Sequence, residues 1–428
     1  MKLAVFTSKY PARVATFFER DMRALLEAGV DIEVFPIYPL DASQWKYSLE
    51  LLNEDHLPRE RVHHLSFGGA LKSGLRQAQR RGTAMRDAAT VLASAARFGP
   101  VTLAKTGYVL PKAWAWAQHG RRFDHVLAYW GNYAGTCAYA YHRIVGRDVP
   151  FSIWLHAGTD LYRTPVFLRR KLLYADNVIT CCEFNKEFIG RQFADVRAAI
   201  LPKTHVVHHG LDLAQFPYRP DGRRTNKVIA VGRLSKYKGF DFLLRATRVL
   251  AGRGVDISVE LVGDGDQRSA LQRLAADLGI VDRVWFRGWL SFTDVRRAMS
   301  DATLLAHPSE GLGDGLPNVV REAMALGTPV VASRVAGIPD ALRDECGTLV
   351  PPRDPEALAD AMQRLLVDPG ARRRFARNAR RRVEERYDLW RNGTVLARLL
   401  KGSRRRAVRS TPSRTWPVTP TPQETAAC

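Results

Sequence analysis

The 428-residue sequence is short of acidic side chains relative to basic ones, short of cysteine, and without a long apolar run. Each shortage excludes something. The five cysteines (Cys137, Cys181, Cys182, Cys346, Cys428) are odd in number with no pair at metal-ligand spacing, so neither a disulfide framework nor a zinc site is indicated. A reducing cytoplasm is the expected compartment. No stretch approaches about eighteen uninterrupted apolar residues, and Met1 to Phe6 leads straight into a strand-like run rather than a charged, apolar and cleavable leader. The expectation is a chain that neither spans a membrane nor is secreted through a visible signal. The residues after that run, Ser8-Lys9-Tyr10-Pro11-Ala12-Arg13, lack the glycine fingerprint of a dinucleotide oxidoreductase. No short-period repeat is present, which excludes a solenoid.

What is abundant is apolar character, 46% of residues, and positive charge, a net +22. The length exceeds one ordinary core and the apolar content fills two, so two domains are expected. A basic surface favours anionic partners. The excess is local: Lys72, Arg76, Arg80, Arg81, Arg86, Arg97, Lys105, Lys112, Arg121 and Arg122 are opposed in that stretch by Asp87 alone. This region lacks an RNA-binding or zinc-finger signature and has few aromatics among its charges, so no nucleic-acid partner is expected. An anionic membrane surface contacted through residues 69–122 fits better, although a solvated helical face gives the same pattern.

Short apolar runs alternate with helical-period segments: Lys2 to Thr7, Phe17 to Gly29, Ile32 to Phe35, His125 to Tyr129, Tyr133 to Val145 and Phe151 to Leu155. That alternation predicts βαβ units on a parallel sheet. A second series starts near Lys227 with Val228 to Val231, Asp241 to Ala251, Ser258 to Val262, Gln267 to Leu278, Arg283 to Phe286 and Thr303 to Ala306. Val206 to Pro220, rich in turn residues at its end, suits an interdomain crossing. The predicted organisation is an N-terminal Rossmann-like domain over 1–210, a C-terminal Rossmann-like domain over 211–385, a C-terminal helix over 386–400 and a disordered tail over 401–428. Residues 69–122 read as inserted helices. Leu71, Leu75, Ala78, Met85, Ala89, Leu92 and Ala96 roughly mark the apolar face, and Gly99-Pro100 divides the insert into two helices.

Ligands of open α/β sheets bind beyond the carboxyl ends of the strands, and three such loops carry chemistry. Gly232-Arg233-Leu234-Ser235-Lys236-Tyr237-Lys238-Gly239 places two cations around a turn, where a guanidinium fork and an ammonium can bracket a diphosphate. Glu310 to Ala325 follows a strand, and Pro317 suits a helix's first turn. The N–H groups of Gly315, Leu316 and Asn318 would then face an anion. Asp314 can reach sugar hydroxyls and Glu322 ribose hydroxyls, although an N-cap aspartate and a surface glutamate would look the same. The third loop, Trp154-Leu155-His156-Ala157-Gly158-Thr159-Asp160, turns a strand end into small residues around a histidine.

These pieces resemble glycosyltransferase family four, especially its bacterial exopolysaccharide, lipopolysaccharide and colanic-acid branch, over most of residues 1–400. The resemblance rests on Pro11 to Phe17, Tyr129-Trp130-Gly131-Asn132, His156 to Asp160, Glu183-Phe184-Asn185-Lys186, His209-Gly210-Leu211-Asp212 with Phe216, Gly232-Arg233 with Lys238-Gly239, Gly263-Asp264-Gly265, and Asp314 to Gly327. It implies the GT-B architecture: two doubly wound Rossmann-like domains facing across a cleft, here with a basic helical insert in the first. It implies that Arg233 and Lys238 hold the donor diphosphate, Glu322 the ribose, and Asp314 with the following amides the donor sugar. His156 would face the reacting sugar, and Thr16, Phe17 and Asp160 the acceptor side. The reaction so implied retains the donor's anomeric configuration and needs neither metal nor cofactor. It moves a sugar from a UDP- or GDP-linked donor to a glycan or lipid-linked acceptor at the inner face of the plasma membrane. Asp314 stands where the family more often has glutamate, Tyr129-Trp130 where a histidine and an aromatic are common, and Val14-Ala15 where Ser-Glu is common, which leaves donor sugar and acceptor open. A non-catalytic sugar-nucleotide or glycan-binding protein would keep the donor loops while losing turnover, and a nucleotide-sugar epimerase would share the two-domain frame.

Overall fold

The short β-branched and leucine-rich runs pair as parallel strands buried on both faces, the environment that demands continuous rather than alternating apolarity. The computed structural model describes residues 1–11, 16–39, 57–79, 82–118, 120–146, 148–313 and 315–403. In the first half β1 (Lys2–Thr7), β2 (Asp31–Pro36), β3 (His125–Ala128), β4 (Phe151–Leu155), β5 (Asn177–Thr180) and β6 (Thr204–Val206) form a sheet of order β2-β1-β3-β4-β5-β6. In the second, β7 (Lys227–Val231), β8 (Ser258–Val262), β9 (Val284–Gly288), β10 (Leu304–His307), β11 (Val330–Ser333) and β12 (Thr348–Val350) take the order β12-β11-β10-β7-β8-β9. Both are Rossmann-like. The second reverses direction between β7 and β10, and a crevice opens at such a reversal beyond the strands' carboxyl ends.

The last helix, Leu389–Lys401, returns to the first half. Asp388 caps it by accepting from the Arg391 N–H at 2.8 Å. Leu396, Ala397 and Leu400 enter the core beside Leu3, Phe18 and Leu25. Gly393 lies against Ala24, leaving no room for a side chain. Lys401 thus closes a packed helix, while the rest of the expected tail, residues 404–428, lies outside the described residues.

The insert departs from expectation in two ways. It forms three helices, Phe67–Gln79, Gly82–Ala96 and Pro100–Gln118, rather than two. Its buried face is Ala70, Gly74, Ala78, Ala84, Ala88, Val91 and Ala95, whereas Leu71, Leu75 and Met85 are exposed. Gly74 sits directly on the backbone of Pro111, so the helices approach too closely for leucine at the seam, and the larger side chains rotate outward. Nor is every basic residue there on the surface. Lys112 is fully buried and donates to the Ile37 carbonyl at 2.8 Å, while Arg121, which is exposed, is paired with Glu33 at 2.5 Å.

Candidate functional site

The two loops flanking the reversal of the second sheet are those singled out for their charges. After β7 the chain makes a single turn, Lys236–Lys238, ended by Gly239 at φ 65°, a left-handed position that favours glycine. Gly239 also packs against the Pro308 carbonyl of the loop after β10, so the loops hold each other in place. Lys238 is buried beside the Tyr237 ring, its ammonium 5.5 Å from the ring centroid. Arg233 is exposed and forms no ion pair with another described residue. Gly232 and Arg233, with Gly263, Asp264, Trp289 and Val295, line a cavity of about 610 Å³ beyond the carboxyl ends of β7, β8 and β9, on the side of β7 away from β10. Trp289, half exposed there, carried no signal in the sequence beyond being aromatic. A cavity of about 680 Å³ by β12 shares no residue with these loops.

The loop after β10 leads into the helix Asn318–Leu326. This helix starts one residue later than expected: Pro317 is its extended N-cap, because proline's fixed φ suits the entry while its ψ of 132° keeps it outside the helix. The N–H groups of the first turn, from Asn318 onward, have no intrahelical acceptor. Leu316 belongs to the hydrophobic core, so only its backbone can serve a ligand. The Asn318 side chain accepts from Arg321. Asp314 lies outside the described residues. Glu322, one turn into the helix, is buried and accepts from Arg20 Nη2 at 3.0 Å, an ion pair between the halves. A ribose hydroxyl bound there would share the carboxylate with Arg20.

Across the cleft, His156 ends β4 inside an aromatic enclosure. Its ring centroid is 4.4 Å from Trp130, 4.8 Å from Tyr129, 5.6 Å from Phe17 and 5.0 Å from His209, the last with rings 5° from parallel. Asp160, expected on the acceptor side, is instead almost fully buried beneath this loop. Its carboxylate accepts from the backbone N–H of His156 and of Ala157, each at 3.0 Å, and approaches Gly131 N at 3.3 Å. These bonds hold the histidine loop, and Asp160 Oδ2 also lies 3.6 Å from His156 Nδ1. Phe17 packs on His156, but Thr16 and Phe17 form the first turn of the helix Thr16–Glu27 rather than a loop.

The two halves meet where these loops face. A Cβ at Gly315 would stand 2.6 Å from the His156 carbonyl oxygen, and Gly337 N donates to the Gly315 carbonyl at 2.7 Å. The structure therefore brings His156, Gly315 and the start of the Asn318–Leu326 helix together, with Arg233 and Lys238 on the flanking loop.

Arg20 and Asp21 escaped the sequence reading, and Arg321 and His209 entered only inside motifs. Asp21, on the first helix, accepts from Tyr129 Oη and lies 2.6 Å from His209 Nδ1. Burial and the Asp21 charge together push the Tyr129 hydroxyl well above its ordinary value. Arg321, fully buried in the second half, donates to the His209 carbonyl. These partners are separated by more than a hundred residues, so no local pattern announces them. Both ring nitrogens of His156 and Nε2 of His209 are buried without a hydrogen-bond partner among the described residues. Leaving such a group unsatisfied costs about 1–3 kcal/mol.

Residues 225–368 match the family model described as Glycosyl transferases group 1. The chain is 32% identical over 211 residues to the GDP-mannose-dependent alpha-(1-6)-phosphatidylinositol monomannoside mannosyltransferase of Mycolicibacterium smegmatis, covering 46% of this chain and 55% of that protein. It is 37% identical over 150 residues to the lipopolysaccharide core biosynthesis glycosyltransferase LpsE of Rhizobium meliloti, covering 35% of this chain and 42% of that one. The chain thus spans about half the length of the curated relatives it matches. The Anabaena protein HepE, solved in complex with UDP-glucose, superposes with a TM-score of 0.69 at 20% identity, over 94% of this chain and 99% of that one. That likeness concerns the fold, the GT-B pairing of two Rossmann-like domains.

Proposed function

On the premise that the second half of the chain is a group 1 glycosyltransferase domain, we propose that the protein moves a sugar from a nucleotide-diphosphate donor to a glycan or lipid-linked acceptor, with retention and without a metal. The observation that carries this reading is the contact of Gly315 with the His156 carbonyl, which sets a cationic loop and a helix N-terminus on one side of the cleft against an aromatic-lined imidazole on the other. The base would occupy the cavity beside Trp289 and Gly263, and the ribose would reach Glu322. As the bond from the sugar's anomeric carbon to the diphosphate breaks, Arg233, Lys238 and the amides at the start of the Asn318–Leu326 helix meet the charge left on the phosphate. Arg233, exposed at the cavity, and Lys238, buried on the same loop, are the cations this reading assigns to the task. Asp160, the carboxylate nearest His156, is committed to backbone amides, which supports a same-face reaction over a carboxylate-linked intermediate. In that reaction the acceptor oxygen bonds to the anomeric carbon while its proton passes to the departing phosphate.

Relatives named for GDP-mannose and neighbours solved with UDP-glucose favour GDP- or UDP-linked donors. The test is a thermal-shift panel of UDP, GDP, ADP and their sugar conjugates, because a ligand that binds only the folded state raises its apparent stability. A ligand at about 100 times its dissociation constant should add about 2.7 kcal/mol. One base should shift the transition, and the shift should shrink in Arg233→Ala. No shift with any nucleotide would discard the donor site.

The same reading places a lipid-linked acceptor, in a cell-surface polysaccharide pathway, at an anionic membrane met by the insert. Phe67, Leu71 and Leu75 make an exposed stripe at four-residue spacing on one helix, with the exposed Lys72 and Arg76 beside it, so apolar and cationic groups are presented together. No described helix is long and apolar enough to cross a membrane; the contact proposed is a peripheral one, at the inner face. Replacing Leu71, Leu75 and Arg76 together by serine should lower co-sedimentation with phosphatidylglycerol vesicles by about tenfold or more, at about 1 kcal/mol per cation plus the lost apolar area. Unchanged vesicle binding would remove the membrane contact and leave a solvated helical face.

A further inference from the structure

His156 is the histidine that the sequence pattern brings forward, but a second imidazole lies against it. His209 sits in the crossing between the halves, its ring parallel to that of His156 at 5.0 Å, and both are almost fully buried. Its Nδ1 is 2.6 Å from Asp21 Oδ2, and its carbonyl is held by Arg321 from the second half. With Nδ1 anchored on Asp21, Nε2 is directed away from the first helix and is buried with no oxygen or nitrogen partner among the described residues, the Cys181 sulfur being the ring's other polar neighbour. A nitrogen oriented on one side and met on the other by nothing stronger than a thiol, next to His156, whose Nδ1 lies 3.6 Å from Asp160 Oδ2 and whose Nε2 is unsatisfied, marks a place where oxygen atoms of a ligand complete the site.

We propose that His209 is a catalytic residue that offers its Nε2–H to an anionic oxygen of the donor's diphosphate as the sugar departs, oriented for that task by Asp21. The assignment rests on the glycosyltransferase reading and adds a fixed cation on the first half to those on the second. His209 keeps its proton throughout; it forms a charge-assisted hydrogen bond and no covalent one.

The surroundings favour the charged ring. Burial by itself would lower its basicity, but the Asp21 carboxylate reverses this, with the neighbouring Cys181 sulfur adding to it, and His209 is raised to about 9. The charged and titratable groups around it are Asp21 on the first helix, Tyr129 after β3, His156 after β4, Cys181 after β5, and Arg321 from the helix Asn318–Leu326. The sign follows directly. The Nε2–H donor is charged below about pH 9 and loses that charge above it, so kcat/KM should fall as pH rises through about 9.

The experiment compares wild type, His209→Gln and Asp21→Asn, with kcat/KM followed from pH 6 to 10, binding of UDP and GDP measured in parallel, and the thermal transition as a check on folding. His209→Gln should lose about 10²-fold in kcat/KM, the scale for one preorganised donor, and should lack the alkaline limb. Asp21→Asn keeps the imidazole and should move that limb to lower pH. A His209→Gln enzyme within threefold of wild type with its alkaline limb intact would overturn the assignment, as would an Asp21→Asn profile superimposable on wild type. If His209→Gln does not fold, the Asp21→Asn profile decides. Should wild type neither bind UDP or GDP nor transfer a sugar, the glycosyltransferase reading itself fails and takes this assignment with it; nucleotide binding and transfer unaltered by both substitutions would remove His209 alone.

Discussion

Arg233→Ala should lower turnover by about 10²- to 10³-fold, the loss that follows removal of one preorganised donor to developing charge. Several features make the effect large and interpretable. Arg233 is exposed and outside any described ion pair, so no internal contact depends on it and the thermal transition should stay in place. It also lines the cavity beyond the ends of β7, β8 and β9, where its neighbour Gly232 allows a ligand to come close to the backbone. Lys238, by contrast, is buried against Tyr237, so its replacement would mix lost charge with lost packing. The comparison to make is kcat and KM for both variants with the donor identified by the thermal panel. A decrease of less than threefold for a folded Arg233→Ala would remove the diphosphate assignment.

Gly315→Val tests the meeting of the two halves. A Cβ there would stand 2.6 Å from the His156 carbonyl oxygen and 3.2 Å from Ala157 Cβ, and backbone on the opposing side cannot swing away as a flexible side chain would. The halves must separate, or one loop must shift, by something like 1 Å, a displacement that can cost about 10²-fold in rate. Each half keeps its own core, so activity should fall far more than stability. Gly311→Val is the control, since nothing lies within 4 Å of a Cβ at that position. Wild-type kcat/KM in Gly315→Val would mean that the contact does not shape the reacting arrangement.

The parallel sheets were legible because parallel strands are buried on both faces and read as continuous apolar runs. Ser258 to Val262 and Tyr133 to Val145 have the limits expected of them. The insert was less legible. Helical spacing marked Leu71, Leu75 and Met85 as a core stripe, but the packing surface is set by how closely the helices approach, and Gly74 against Pro111 selects alanine and glycine for the seam. Asp160 misled for a related reason. A carboxylate after a strand can face a ligand or tie down its own loop, and only the positions of three backbone N–H groups show which.

By itself the sequence determined the class of fold, the two cationic loop positions and the glycine-rich entry to the Asn318–Leu326 helix, because these depend on patterns contained within one loop or one βαβ unit. Tertiary structure alone decided what stands opposite them: Arg20 on Glu322, Asp21 on His209, Arg321 beneath it, and His156 facing Gly315. Such pairs join residues up to 302 positions apart. Their geometry comes from docking one sheet against the other, a packing of surfaces for which a linear pattern carries no code.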